Sequence, residues 1–101
     1  MIKHIVFWRI KDQPSKAANA ARIKELLEGL RDRIPGLLTI EVGHNIIEDA
    51  NASDVVLYSE FVDLAALEGY QRHPLHLEVV PQVKALATER RSVDYEVRRP
   101  V

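Results

Sequence analysis

Apolar positions along this chain recur at every second residue, then at every third or fourth, and the same change of period happens again in the second half. In Ile2-Lys3-His4-Ile5-Val6-Phe7-Trp8-Arg9-Ile10, rich in β-branched and aromatic side chains, Ile2, His4, Val6, Trp8 and Ile10 share one side of an extended strand. Lys3, Ile5, Phe7 and Arg9 share the other, which is also substantially apolar. Asp12-Gln13-Pro14-Ser15 breaks the strand and offers Asp12 or Ser15 as a helix cap. From Lys16 to about Arg33 the period is helical: Ala20, Ile23, Leu27, Leu30 and Ile34 make one apolar stripe, with Lys24, Glu25, Glu28, Arg31 and Asp32 on the wet side. Pro35-Gly36 ends this helix and turns the chain.

A second strand is predicted from about Leu37 to Ile46, where Leu38, Ile40, Val42 and Ile46 alternate with Thr39, Glu41 and Asn45. The polar loop Glu48-Asp49-Ala50-Asn51-Ala52-Ser53 leads to a third strand, Val55 to Val62, and this connection suits an antiparallel pair. Asp63 caps a helix containing Leu64, Leu67 and Tyr70. His73-Pro74 interrupts that helix, because the residue before proline is pushed out of the helical region. Helix resumes through Leu75–Val80, is disturbed at Pro81 and continues towards Ala87. Arg91 to Arg98 closes the chain as a strand with Val93, Tyr95 and Val97 on one face.

The predicted order is β-α-β-β-α-β, an α+β ferredoxin-like fold in a single domain over residues 1–101. Two helices cover one face of a four-stranded sheet, so the other should be polar if it met water. Here it carries Ile5 and Phe7, with Val56, Tyr58 and Val62. A second copy of the same sheet is the simplest cover, which predicts a homodimer through the open face.

Composition narrows the function classes. The 101 residues carry a net charge of −1 and contain no cysteine, which removes disulfides, thiolate catalysis and Cys-type metal sites. The one basic cluster, Arg90, Arg91, Arg98 and Arg99, is interrupted by Asp94 and Glu96, so nucleic acid is not an expected partner. No apolar run approaches the roughly 20 residues of a membrane span, and the alternating first eleven residues do not make a secretory signal. No membrane association and a cytoplasmic location are the default expectations.

Chemistry concentrates in Tyr70-Gln71-Arg72-His73-Pro74-Leu75-His76, a phenol and two imidazoles within seven positions. Imidazole moves protons near neutrality, and a phenol donates a hydrogen bond to developing negative charge. On a continuous helix Tyr70 and His76 would lie about 240° apart, so they share a site only if His73-Pro74 bends the chain. Each residue also has a plainer reading. His73 caps backbone groups at the break, Tyr70 is a core residue with its hydroxyl satisfied, and His4 is a hydrogen-bonded core histidine. His44 reads as structural or exposed. His73 and His76 have His-x-x-His spacing with only Glu78 at helical distance, so no metal and no cofactor are expected.

The Lys3-His4-Ile5 opening, the Ile34-Pro35-Gly36 turn followed by Glu41-Val42-Gly43-His44-Asn45, and the Tyr70-x-x-His73-Pro74-x-His76 element together resemble the stress-responsive A/B barrel (Dabb) family across nearly the whole chain. The resemblance implies a dimeric α/β barrel, with two four-stranded sheets facing each other and the helices outside. It also implies that any small-molecule pocket lies between each sheet and its own helices. Olivetolic acid cyclase-type members perform a cofactor-free aldol cyclisation, and their reactive tyrosine and histidine match Tyr70 and His76. Carried over, His76 is the general base next to a carbonyl, Tyr70 holds the base or the enolate oxygen, and His4 supports the pocket. Trp8, Val55 and His73 are then candidate pocket residues. Val55 stands where those enzymes carry a third-strand histidine, and Trp8 fills space near His4 and leaves a small pocket. The resemblance leaves the activity unassigned, with a stress-associated assembly module without catalysis and a dimeric-barrel oxygenase as alternatives.

Overall fold

The computed structural model describes residues 1–98. Along the chain run β1 (Ile2–Ile10), α1 (Lys16–Glu28), β2 (Leu37–His44), β3 (Val55–Phe61), α2 (Leu64–Arg72), α3 (Pro74–Leu86) and β4 (Ala87–Glu96). The strands form one sheet in the order β2-β3-β1-β4, every neighbouring pair antiparallel, which is the ferredoxin-like α+β arrangement. Of the basic cluster noted above, Arg99 lies outside the described residues.

The alternation in β1 sorts as its sequence requires. Ile2, His4, Val6, Trp8 and Ile10 are buried beneath the helices, and Phe7 and Arg9 face outward. Val55, Leu57, Ser59 and Phe61 of β3 and Ile40 and Val42 of β2 continue the buried face. Ile23 and Leu27 of α1, Leu67 and Tyr70 of α2, and Val79 and Val83 of α3 close on it. The opposite face carries apolar side chains among charged ones: Phe7 is 38% exposed, Val93 46% and Tyr95 44%, in rows shared with Lys3, Arg9 and Arg91.

Caps explain where the helices start. The Ser15 side chain accepts from Ala18 N at 3.3 Å and Asp63 from Ala66 N at 2.8 Å. Several features differ from the sequence expectation. α1 stops at Glu28 instead of near Arg33, because Gly29 is a poor helix residue. Tight turns then carry Leu30 N to Leu27 O and Arg33 N to Leu30 O, both at 3.1 Å, with Asp32 at a φ of 63°. Leu30 and Ile34 remain buried through those turns. β2 stops at His44, after which the Asn45 side chain donates to Ile47 O at 2.7 Å and turns the chain. Pro81 leaves α3 unbroken; it and Leu77, whose carbonyl it deprives of a donor, both lie on the exposed side. β4 begins at Ala87, four residues before the expected Arg91, because pairing with Ile10, Arg9 and Trp8 draws those residues into the sheet.

Gly36, at a φ of 80°, makes the turn into β2. A Cβ there would lie 2.5 Å from Ala66 Cβ, so this position also lets α2 approach. Among the described residues no helix is long and apolar enough to cross a membrane.

Candidate functional site

His4 sits mid-strand on β1, opposite Ser59 of β3 and Asp94 of β4 in the two ladders. It is 4% exposed. Its Nδ1 is hydrogen-bonded to Asp94 Oδ1, and only a protonated Nδ1 can donate to a carboxylate, so a neutral ring leaves Nε2 as the acceptor. The backbone is pinned as well: the buried Ser59 hydroxyl donates to His4 O at 2.8 Å. The His4 ring meets those of Phe61 and Tyr70 edge-on, with centroids 6.3 and 6.2 Å away.

Tyr70 comes from the last turns of α2 and is 1% exposed. Its ring packs on Phe61 at 5.0 Å. Its hydroxyl finds no hydrogen-bond partner in the protein, which is uncommon for a buried polar atom. Burial pushes the phenol pKa far above its usual value, only partly offset by the positive charge of Arg90, so the group is a hydroxyl donor and not a phenolate.

The break between α2 and α3 brings His76 to this hydroxyl-bearing ring. His73 adopts φ −65° and ψ 135°, ends α2, and accepts from Leu75 N at 3.1 Å through Nδ1, with Pro74 opening α3. The capping reading of His73 therefore describes its contacts. The Tyr70 and His76 ring centroids lie 4.2 Å apart at 38°. His76 is half-buried, and Nδ1 lies 3.4 Å from Gln71 O, a long hydrogen bond in which Nδ1 carries the proton and Nε2 keeps its lone pair. Burial lowers the His76 pKa below its ordinary value; the bond to Gln71 opposes this, and the charges of His4 and Arg90 reinforce it. The ring is neutral at pH 7, the state in which it accepts a proton.

These groups border a cleft of about 520 Å³ between the sheet and the helices, lined by His4, Trp8, Leu57, Tyr70, His76 and Val79 among others. Such a volume is usual for a small-molecule site. Trp8 forms part of the wall and leaves this space open, so the expectation of a small residual pocket is corrected. Of the sequence candidates the structure gathers His4, Trp8, Tyr70 and His76 here. Val55, buried opposite Trp8 in the ladder, and His73 are not among the lining residues.

Sequence reasoning passed over Asp94 and Arg90, treating both as parts of a mixed charge cluster. The alternation of β4 held a signal: Val93 and Tyr95 share the open face, so Asp94 must share the helix-side face with Ser92 and Arg90. Only the ladder shows that this polar row faces His4, Val6 and Trp8. Among the described residues no group of three or more His, Asp or Glu side chains is placed to hold a metal ion.

Fold and cleft together define the class: a ferredoxin-like α+β domain with a mostly apolar cleft under its helices that carries a phenol and two imidazoles. The chain belongs to the stress responsive A/B barrel domain (Dabb) family, whose model matches residues 2–97. Among similar solved structures, a dimeric ferredoxin-like protein of unknown function from Bacteroides fragilis shares 31% identity over 95% of each chain, with a TM-score of 0.81. A Dabb family protein from Mesorhizobium loti shares 22% over 97% of each chain, at a TM-score of 0.79. A hydroxynitrile lyase from Passiflora edulis shares 19% over 99% of this chain and 95% of its own, at a TM-score of 0.84; at that identity the likeness is one of fold. No curated protein matches the chain.

Proposed function

We propose that the chain binds and transforms a small carbonyl compound by cofactor-free proton transfer in the cleft between sheet and helices. The observation that carries this reading is the buried Tyr70 hydroxyl, without a protein partner and beside the neutral ring of His76. A hydroxyl left unbonded at 1% exposure costs about 1–3 kcal/mol unless something in the cleft accepts its proton.

In the proposed reaction His76 Nε2 takes a proton from carbon next to the carbonyl and becomes an imidazolium. The electron pair moves onto the carbonyl oxygen, which accepts a hydrogen bond from Tyr70. When the enolate carbon then forms a bond to a second carbonyl of the same molecule, His76 returns its proton to the resulting alkoxide, which closes an aldol cyclisation with all atoms accounted for. This is the polyketide-like chemistry implied by the Tyr70-x-x-His73-Pro74-x-His76 element. His4, held by Asp94, positions the Tyr70 ring through its edge contact.

The working form in this reading is a homodimer joined through the open sheet face, which the apolar side chains of Phe7, Val93 and Tyr95 support. The B. fragilis relative is described as dimeric. A separate reading, an assembly module without catalysis, is favoured by a different observation: Ile46 and Ile47, in the loop after β2, are 92% and 72% exposed.

Exchange of solvent deuterium into the position next to the carbonyl, followed by NMR over a set of aliphatic ketones and diketones, tests the proposal. Protein-dependent exchange that falls about 100-fold or more in His76→Ala, and also falls in Tyr70→Phe, with both variants folded, is the expected result. Full exchange and full ligand binding in both variants would sink it.

A further inference from the structure

Positive charge at the cleft is left uncommitted. Most basic side chains among the described residues have a partner: Arg22 pairs with Glu25, Lys24 with Glu28, Lys16 with Asp54, and Arg9 and Arg91 with Glu89. Arg31 donates to Ile40 O, and Lys3 lies over the Tyr58 ring. The side chains of Arg90 and Lys84 make no hydrogen bond or ion pair among the described residues, and both residues line the cleft. The third charged residue of the lining, Glu89, is engaged by Arg9 and Arg91.

Position gives Arg90 the larger part. It stands opposite Trp8 in the β1–β4 ladder, on the helix-side row of the edge strand. Its charge reaches both reacting groups, since it acts on the phenol of Tyr70 and on the imidazole of His76. A guanidinium presents a planar fork that matches a carboxylate through two parallel hydrogen bonds, and it gains strength beside apolar surface where water competes less. Trp8, Val79 and Val83 supply that surface.

We propose that Arg90 is a specificity residue that selects a ligand bearing a carboxylate, so that the substrate class is an apolar diketo acid, its carboxylate on Arg90 and the carbonyl to be enolised towards Tyr70 and His76. This rests on the cleft being the small-molecule site argued above. Lys84 adds a second, more mobile charge at the rim. The apolar chain between the two functional groups lies against Trp8 and Val83.

The test uses 7-oxooctanoate, its neutral primary amide, and the matching alkyl phosphate ester of the same ketone. Binding to the full-length protein is followed by calorimetry and by the fluorescence of Trp8, the only tryptophan, which lines the cleft. Wild type binds the acid at least tenfold more tightly than the amide, in a manner weakened by salt. Arg90→Gln loses that preference and keeps its affinity for the amide, while Arg90→Lys recovers part of it. Arg90 is exposed on an edge strand, so these variants fold, and their thermal melts establish it. Equal binding of acid and amide by wild type, with the Trp8 signal changed by both, overturns the anion assignment and leaves the cleft reading standing. Binding of none of the probes overturns both readings. An Arg90-dependent preference for the phosphate ester over the acid overturns the choice of carboxylate.

Discussion

The rings of Tyr70 and His76 lie with centroids 4.2 Å apart, although six residues of unbroken helix would turn them about 240° away from each other. The one extended residue between α2 and α3, His73, makes the difference.

Replacing that joint should therefore separate the rings. In Pro74→Ala the following helix can fuse with α2, and in His73→Ala the cap on Leu75 N is lost at a cost of about 1 kcal/mol. Ring-to-ring NOEs between Tyr70 and His76 weaken in Pro74→Ala, and persistence of the full contact would show that packing against Phe61 alone holds the pair.

The His4–Asp94 contact joins a buried imidazole to a carboxylate 43% exposed. Asp94→Ala leaves Nδ1 without its acceptor and should cost about 1–2 kcal/mol in urea unfolding, at the lower end because water reaches the carboxylate side. The 15N shifts of His4 then lose their Nδ1-protonated pattern. Asp94→Asn keeps an acceptor and the pattern.

His76 makes stability and activity depend on pH in a stated direction. Its folded pKa lies below the ordinary 6.5 of the unfolded chain, so below that pH the unfolded state binds more protons than the folded one. The stability is fully present above about pH 6.5 and declines as the pH falls from there through the lowered folded value. Proton abstraction persists to lower pH and falls only through the lowered folded value, because the neutral ring of the folded protein is what accepts a proton. Melts of wild type and His76→Gln between pH 5 and 8 check this: the variant's curve loses the His76 part of the slope.

Gly36→Ala combines a left-handed backbone with a Cβ pressed to 2.5 Å from that of Ala66. A loss of about 2–3 kcal/mol in unfolding free energy is expected. The double variant with Ala66→Gly should recover the steric part and leave the backbone part.

Phe7→Glu places a charge on the open sheet face, where Phe7 pairs in register with Val56 on one side and Arg91 on the other. If that face joins two copies, light scattering moves from dimer to monomer while the far-UV spectrum is retained. A dimer that survives Phe7→Glu and Val93→Glu together would place the interface elsewhere.

Local periodicity carried most of the fold. The period of two in Ile2–Ile10, the stripe through Ala20, Ile23 and Leu27, and the stop at His73-Pro74 are properties of adjacent residues, and each appears in the structure as one element. Ends of elements were less legible. α1 gives way at Gly29 although Leu30 and Ile34 keep the helical spacing, because buried turns satisfy the same apolar positions.

The sequence by itself determined the alternation of β1 and β3, where the second helix must break, and that Tyr70, His73 and His76 stand around that break. It did so because backbone sterics and side-chain alternation act within a few residues. Only the tertiary structure decided that β4 starts at Ala87, that Asp94 faces His4 and that Arg90 faces Trp8. Those relations join residues 77 to 90 positions apart, Ala87 with Ile10 at one end and Asp94 with His4 at the other, and the register that sets them arises when the edge strand pairs with β1 and the cleft closes over it.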